Sequence, residues 1–459
     1  MRRHILISLG LLLLLAIGTI IWLLTPDRAQ LSELAVTGRV PQLSVPREQT
    51  IPTVDVAKAV GWKQGETPTP AAGLKVAAFA RGLDHPRWLY ALPNGDVLVA
   101  ETNSPPRKDG GIKGWVRKKL MHRAGADVPS ANRITLLRDT TGDGKADQRS
   151  VLLSGLNSPF GMALVGDWLY VADTDALLRF PYKPGETRIS AKPEKIIDLP
   201  GGGDHWTRNI LPDPADGTLW VTIGSSTNLA DNGMAAERGR ARIIKVDPKT
   251  KTARVFATGL RNPNGLAVNP DSGRLWTVVN ARDMMGSDMP PDYLTEVNFG
   301  NFYGWPWYFW GGYKDPRIDS VGPDGEDMRQ YVARPDYALG AHTAPLGLTF
   351  AAGTDLGKRF SRGAFIGEHG SWNRVPPSGY KVVFVPFSAN GFPAKATKPI
   401  NVLTGFLDKN GDARGRPAGV IAGPKGALLV ADDVGNIVWR VTATKSNSDA
   451  REAAQSAGE

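Results

Sequence analysis

The chain has 459 residues, with 52 Gly, 35 Pro, 13 Trp, no Cys and a formal net charge of +10. The lack of cysteine excludes disulfides, thiolate metal sites, a thiol nucleophile, a lipidated cysteine and haem attached through C-x-x-C-H. The basic excess is spread along the chain and has neither the aromatic interleaving nor the helix-turn-helix pattern of a nucleic-acid binder.

In chain order, Met1-Arg2-Arg3-His4 precede an apolar run, Ile5 to Leu24, that ends at Thr25-Pro26-Asp27-Arg28. About 20 apolar residues cross a hydrocarbon core of about 30 Å, and the flanking arginines favour a cytoplasmic N-terminus. Residues 1–28 are therefore expected to be a transmembrane helix that holds the rest at the periplasmic face of the inner membrane. The competing reading is a cleaved signal that releases the chain to the periplasm, for which Arg28-Ala29-Gln30 is a poor cleavage site. Residues 29–73, rich in Pro, Gln, Thr and Val, read as an extended linker. The densest basic run, Arg107 to Arg123, reads as a solvated surface loop or as a patch attracting an anionic surface or ligand.

From Leu74 to Ala443 one phrase recurs: a Gly or Pro turn, a short apolar strand, a hairpin turn, and a second apolar strand closed by an acidic or small polar residue. Its copies begin at Gly82 (GLDHPRWLYALPNGDVLVAE), Gly155 (GLNSPFGMALVGDWLYVAD), Asp204 (DHWTRNILPDPADGTLWVTIGS), Gly259 (GLRNPNGLAVNPDSGRLWTVVN), His342 (HTAPLGLTFAAGTDLGKRFSRGAFIGE) and Gly415 (GRPAGVIAGPKGALLVADD). Marked by Pro86, Pro159, Asn209, Pro263, Pro345 and Pro417, the copies are spaced by 73, 50, 54, 82 and 72 residues. A four-stranded propeller blade needs roughly 40 to 50 residues, so an all-β, six-bladed β-propeller with insertions in the first, fourth and fifth intervals is expected. Long amphipathic helices are nearly absent, which disfavours an alternating α/β sheet. The polar tail, residues 444–459, reads as disordered.

In a propeller the turns before the inner strands form a common floor. Here they supply Asp84-His85, Ser158, Asp204-His205, Arg261-Asn262, His342 and Arg414-x-Arg416, although turn geometry needs only Gly and Pro. His205 is the candidate base, with Asp204 as the acid that orients its ring; the plainer alternative is a histidine that satisfies a turn. Arg261 offers a forked, permanent cation for a carboxylate or quinone oxygen. Asp139-x-Thr141-x-Asp143 and Asp408-x-Asn410-x-Asp412 space oxygens as a cation loop does, but both lack its closing Glu and read equally as hairpin turns. The stretch Gly304 to Tyr313 (GWPWYFWGGY) is either a stacking wall or packing between blades.

Five of these phrases occur together and in order: Asp204-His205, GLRNPNGLAV from Gly259, PPDYLTEVNFGNFYGWPWY from Pro290, GEHGSWNR from Gly367 and GRPAGV from Gly415. Over Leu74 to about Thr442 the chain resembles the soluble-type, pyrroloquinoline-quinone-dependent sugar dehydrogenases, in particular the L-sorbosone and aldose sugar dehydrogenase branch. The resemblance implies oxidation of an aldose or sugar aldehyde, with quinone and calcium as cofactors and a respiratory-chain electron acceptor as a possible partner. His205 is similar to the family's proton-abstracting base, Asp204 to its supporting acid, and Arg261 and Asn262 to the pair at the quinone oxygens. Arg416 matches one of two late arginines that bind cofactor carboxylates, with Arg414 standing in for the second and Arg374 for a fifth-blade lysine. The calcium would take backbone carbonyls at Arg282 and Asp283. The absence of a G-x-G-x-x-G turn before a helix agrees with a carrier other than a nicotinamide or flavin. Two alternatives stand beside this reading: a calcium-dependent propeller lactonase and a non-catalytic interaction module.

Overall fold

The computed structural model describes residues 2–47, 53–107 and 110–444; the tail from residue 445 on, expected to be disordered, lies outside them. The repeats form six antiparallel blades, two of five strands and four of four. Their inner strands are Pro86–Ala91, Met162–Val165, Ile210–Pro212, Asn262–Val268, Pro345–Phe350 and Pro417–Ala422. Each inner strand packs against the next and the sixth against the first, which closes the ring. The expected insertions occur as the excursion of residues 102–132 in blade one, that of 297–336 in blade four and longer loops in blade five.

Because each strand turns one face to either neighbouring blade, the apolar core divides into seams. Trp88 and Phe160 stack in the seam between blades one and two. Trp276, Phe350 and Phe387 fill the seam between four and five, and Phe365, Phe384 and Trp439 that between five and six. Closure uses the N-terminal side of the domain: Leu74–Arg81 is the outer strand of blade six and pairs antiparallel with Ile437–Ala443. This ties the two ends of the domain together and pairs what would otherwise be the edge of Ile437–Ala443.

Arg2–Leu24 form one helix, α1. Its side chains are described at 7, 8 and 10–19 only, and among the described residues no helix is long and apolar enough to cross a membrane. The expected transmembrane span is therefore no part of the architecture as described. Segment 29–73 is bound to the propeller over part of its length: Thr37–Gly38 adds an edge strand to blade four and Thr69–Pro70 one to blade five. The basic run contains a helix, α2 (Gly111–Arg123), within the blade-one excursion.

Trp305, Trp307, Tyr308, Phe309 and Trp310 are buried, so this part of the aromatic stretch serves packing. Both acidic loops are turns: Asp139 accepts the N–H of Gly142 and Gly144, and Asp408 that of Asn410 and Asp412. Those carboxylate lone pairs are used locally.

Candidate active site at the propeller mouth

Antiparallel pairing places the start of each inner strand beside the end of the second strand. Pro86 faces Glu101, Asn262 faces Asn280, Pro345 faces Glu368 and Pro417 faces Asp432. The turns before the inner strands and the polar residues closing the second strands thus share one end of the ring, the mouth. Three of these turns hold a non-glycine residue in the left-handed region directly before the marker proline, His85, Ser158 and Ala344, at φ of 53°, 49° and 53°. That conformation is uncommon for such residues, and it recurs here at one repeat position.

His205 stands half-buried at the mouth. Its Nδ1 lies 2.9 Å from the carbonyl oxygen of Ser225 and 3.0 Å from the Ser225 hydroxyl, which itself donates to the Thr227 carbonyl. A carbonyl only accepts, so Nδ1 carries the hydrogen and Nε2 keeps its lone pair. Desolvation, followed by the Arg261 charge, lowers the pKa of the ring to about 3, which leaves it neutral at physiological pH. Ser225 closes the second strand of blade three and is the group that orients the base. The expected partner does not: the Asp204 carboxylate turns to Arg107 and to Arg117, the latter at 3.2 Å, and the Asp204 carbonyl accepts from Arg107 at 3.1 Å. Two guanidiniums from the blade-one excursion outcompete a neutral imidazole for that carboxylate. Gly224 separates His205 from Asn262; a Cβ there would lie 2.6 Å from His205 Cβ and 2.5 Å from Asn262 Oδ1.

Arg261 lies beside His205 but is fully engaged by the protein. Its N–H groups reach the Asn228 carbonyl at 3.1 Å and side chain at 2.9 Å, the Ala281 carbonyl at 2.8 Å and the Asp283 carboxylate at 3.1 Å. It acts as a brace and has no donor left for a ligand. Asp283 also faces His342 Nδ1 at 3.3 Å. Burial opposes ionisation of Asp283, yet the His342 and Arg261 contacts hold its pKa below the ordinary carboxylate value.

The Asp283 carbonyl accepts from Asn228 Nδ2 and from Arg282 Nη1, both at 3.0 Å, while the Arg282 guanidinium is otherwise paired with Asp315. An oxygen that faces a guanidinium and an amide does not fit a calcium ligand, because a divalent cation there would confront the same donors. The Asp283 carbonyl of the expected calcium placement at Arg282 and Asp283 is thus a poor fit for the ion. Among the described residues no group of three or more His, Asp or Glu side chains converges to hold a metal.

Arg416, Arg414 and Arg374 part company. Arg416 is buried over the Tyr380 ring at 5.2 Å, and its Nε has no partner in the protein. Asp432 fixes its backbone, accepting the Arg416 N–H at 2.8 Å together with the indole N–H of Trp62 and Trp439. Arg414 points instead to the N-terminal segment, 3.7 Å from Glu66 and 6.0 Å from the Trp62 ring. Arg374 donates to the Pro376 carbonyl at 2.7 Å and lies 3.6 Å from Asp288, which holds the chain at Gln30 and Leu31.

A second cluster joins blades one, five and six. Asp433 Oδ2 takes Arg87 at 2.5 Å and His369 Nε2 at 2.7 Å, with His85 Nε2 at 3.6 Å. Burial works against the Asp433 charge, but His369 and Arg87 hold its pKa well below the ordinary value. Desolvation lowers the His85 pKa to about 4. Arg87 also lies 5.8 Å over the ring of Trp206, the neighbour of His205 in the chain. Asn262 Oδ1, Arg87 Nε, Arg416 Nε and Asp433 Oδ1 are buried without a protein partner. Such atoms call for a polar ligand or water. Reasoning from the turns alone misses Arg87, Ser225, His369 and Asp433; Ser225 closes a second strand and Asp433 follows Asp432, which closes another, and that repeat position was the available clue.

Among curated proteins, the chain is 29% identical over 297 residues to an uncharacterized protein of Borreliella burgdorferi, covering 62% of this chain and 76% of that one. It is 24% identical over 431 residues to a pyrroloquinoline quinone-dependent sugar dehydrogenase of Hypocrea jecorina, covering 83% and 91%. A pyrroloquinoline quinone-dependent pyranose dehydrogenase of Coprinopsis cinerea matches at 24% identity over 70% of this chain, a region that spans 45% of that enzyme. In fold, a calcium structure of the Trichoderma reesei Carbohydrate-Active Enzymes Family AA12 protein superposes with a TM-score of 0.67 at 19% identity, over 85% of this chain and 99% of that one. The holo pyrroloquinoline quinone domain of the Coprinopsis cinerea pyranose dehydrogenase superposes with a TM-score of 0.64 at 20% identity, over 84% and 100%. With the TrAA12-like family model matching residues 68–296 and 323–444, the chain belongs to the TrAA12-like family.

Proposed function

We propose that this protein is a pyrroloquinoline-quinone-dependent dehydrogenase that oxidises an aldose or a sugar aldehyde such as sorbosone, with His205 as the base. The observation that carries the proposal is the neutral His205 ring, whose Nδ1–H is committed to Ser225 while Nε2 keeps its lone pair at the mouth. Quinone-dependent sugar dehydrogenases among the relatives support the same reaction class.

The mouth fits an anionic, planar quinone through Arg416 and Arg87, which keep buried Nε donors without acceptors. Asn262, beside His205, is also left without a partner for its side-chain oxygen, which suits an N–H or O–H of the ligand. Arg416 and Asn262 would hold the cofactor, and Arg261 would keep the base and its surroundings in place through Asp283 and Asn228. When bound, the quinone supplies a carbon that accepts hydride from the sugar. The chain's part is to bind the sugar hydroxyl at His205 Nε2 and take its proton there, while Ser225 keeps the ring in the required tautomer. A pKa of about 3 makes the free ring a weak base. An anionic ligand nearby favours the imidazolium and raises that value.

For localisation, α1 supports a membrane anchor: leucines 11 to 15 are all exposed, and this run of five consecutive leucines presents apolar side chains around the helix. A membrane-bound electron acceptor suits that position. The test is His205→Asn, assayed with added pyrroloquinoline quinone and a dye acceptor over a panel of aldoses and sorbosone. Turnover is expected to fall by about 10² to 10⁴ while quinone binding, followed by its absorbance, is retained. Undiminished turnover refutes the assigned base, and failure of the native chain to bind the quinone refutes the reaction class.

A further inference from the structure

We propose that α2 (Gly111–Arg123) is a second membrane contact, lying on an anionic lipid surface so that the mouth of the propeller opens toward the bilayer. The inference rests on the anchored reading of α1.

The first observation is the composition and exposure of α2. The helix carries Lys113, Arg117, Lys118, Lys119 and Arg123 and no acidic residue. Ile112 is 83% exposed, Trp115 58% and Val116 42%. Spacings of three and four residues put these side chains on one helical face, and Lys119 continues it with its ammonium 4.1 Å from the Trp115 ring. The opposite side faces the protein: Arg117 reaches Asp204, Leu120 is half-buried and Ala124 is buried. An outward tryptophan and isoleucine beside the exposed Lys118 and Lys119 suit the boundary between headgroups and acyl chains, where the apolar tips enter and the cations meet lipid phosphates.

The second observation is placement. The excursion that carries α2 leaves the end of Val97–Glu101, the second strand of blade one, and so lies at the mouth. The root of α1 is fixed at the same end. Asp27 accepts the Ser287 N–H at 2.7 Å, the Ala29 N–H donates to the Val375 carbonyl at 2.8 Å, and Asp288 accepts the Gln30 N–H at 2.6 Å. Ser287 and Asp288 follow the second strand of blade four, and Val375 that of blade five. The root of α1 thus stands beside blades four and five, while α2 arises from blade one and reaches Asp204 of blade three, so both helices lie at the mouth. The connection from Leu24 to Ala29 reaches at most about 18 Å, which keeps this end of the propeller close to the bilayer that holds α1.

The cysteine-free chain allows a direct test. An environment-sensitive fluorophore is attached to full-length His122→Cys, on the outer face of α2, or to Ala215→Cys, in the turn between Ile210–Pro212 and Leu219–Ile223 at the opposite end of blade three. Each protein is floated with vesicles of phosphatidylcholine alone or with phosphatidylglycerol. We expect both to float, the label at 122 to brighten several-fold and shift to the blue in the anionic vesicles, and the label at 215 not to respond. The added pair Ile112→Ser and Trp115→Ser should abolish the response without loss of flotation. Flotation without a response at 122 overturns the α2 contact and leaves the anchor standing. An equal response in phosphatidylcholine alone overturns the anionic assignment, and failure to float overturns both the anchor and the contact.

Discussion

Glu368 closes the second strand of blade five, is 1% exposed, and has no partner for either carboxyl oxygen. Burial raises its pKa from 4.5 to about 8, against the opposing charge of Lys381. The unfolded chain therefore releases this proton near pH 4.5, whereas the folded chain keeps it to about pH 8. Between those values the folded state binds more protons, so the contribution is full below about pH 4.5 and is lost as pH rises, at up to about 1.4 kcal/mol per pH unit. From pH 5 to pH 7 the loss is on the order of 2 to 3 kcal/mol. Glu368→Gln keeps the shape and removes the titration. In urea unfolding, the free energy of the variant relative to the native chain should rise by about 2 to 3 kcal/mol between pH 5 and pH 7, other titrating groups cancelling in the difference. Parallel pH profiles for the two proteins would refute the reasoning, because they would mean that Glu368 is ionised or solvated in the fold.

Two further substitutions probe the mouth. Gly224→Ala places a methyl group within 2.6 Å of both His205 Cβ and Asn262 Oδ1; such overpacking costs about 1–3 kcal/mol. Sugar oxidation should drop at least tenfold with the circular dichroism spectrum unchanged, and unaltered kinetics would mean that His205 and Asn262 need not hold their spacing. Asp433→Asn removes the charge shared by Arg87, His369 and His85. Leaving Arg87 unpaired in a buried cluster should destabilise the fold by about 3 to 5 kcal/mol in urea titration, and a loss under 1 kcal/mol would show that the cluster is solvated.

The propeller was legible because its turns are punctuated by Gly and Pro at equivalent points of each repeat, and this spacing survives changes in everything between. His205 was legible for the converse reason: a histidine after Asp204 is not required by the turn. What escaped depends on contacts without local pattern. Arg107 and Arg117 capture Asp204 from an excursion about a hundred residues earlier, so adjacency of Asp204 and His205 in the chain misstates which group orients the ring. Arg261 reads as a free fork until Asn228, Ala281 and Asp283 are seen to take its donors. The segment before Leu74 reads as a spacer because its strands are two residues long and are defined only by the blade edges they join.

The acidic or small polar residue that closes each second strand was visible in every repeat, as Glu101, Asp173, Ser225, Asn280, Glu368 and Asp432. In an antiparallel blade that position is opposite, or close to, the turn before the inner strand, so both positions must supply the same floor. Their environments differ sharply. Glu101 is ionised between Arg133 and Thr135, Glu368 is held neutral by burial, and Asp173 is raised to about 7 by desolvation. Asp432 is fixed by two indoles and two backbone N–H groups. Ser225 alone among them touches His205. A site on this fold is thus specified by pairs of positions, one from the turn and one from the strand end. The serine at the second position of blade three explains how His205 keeps its tautomer while the neighbouring carboxylate is used to hold the excursion that carries α2.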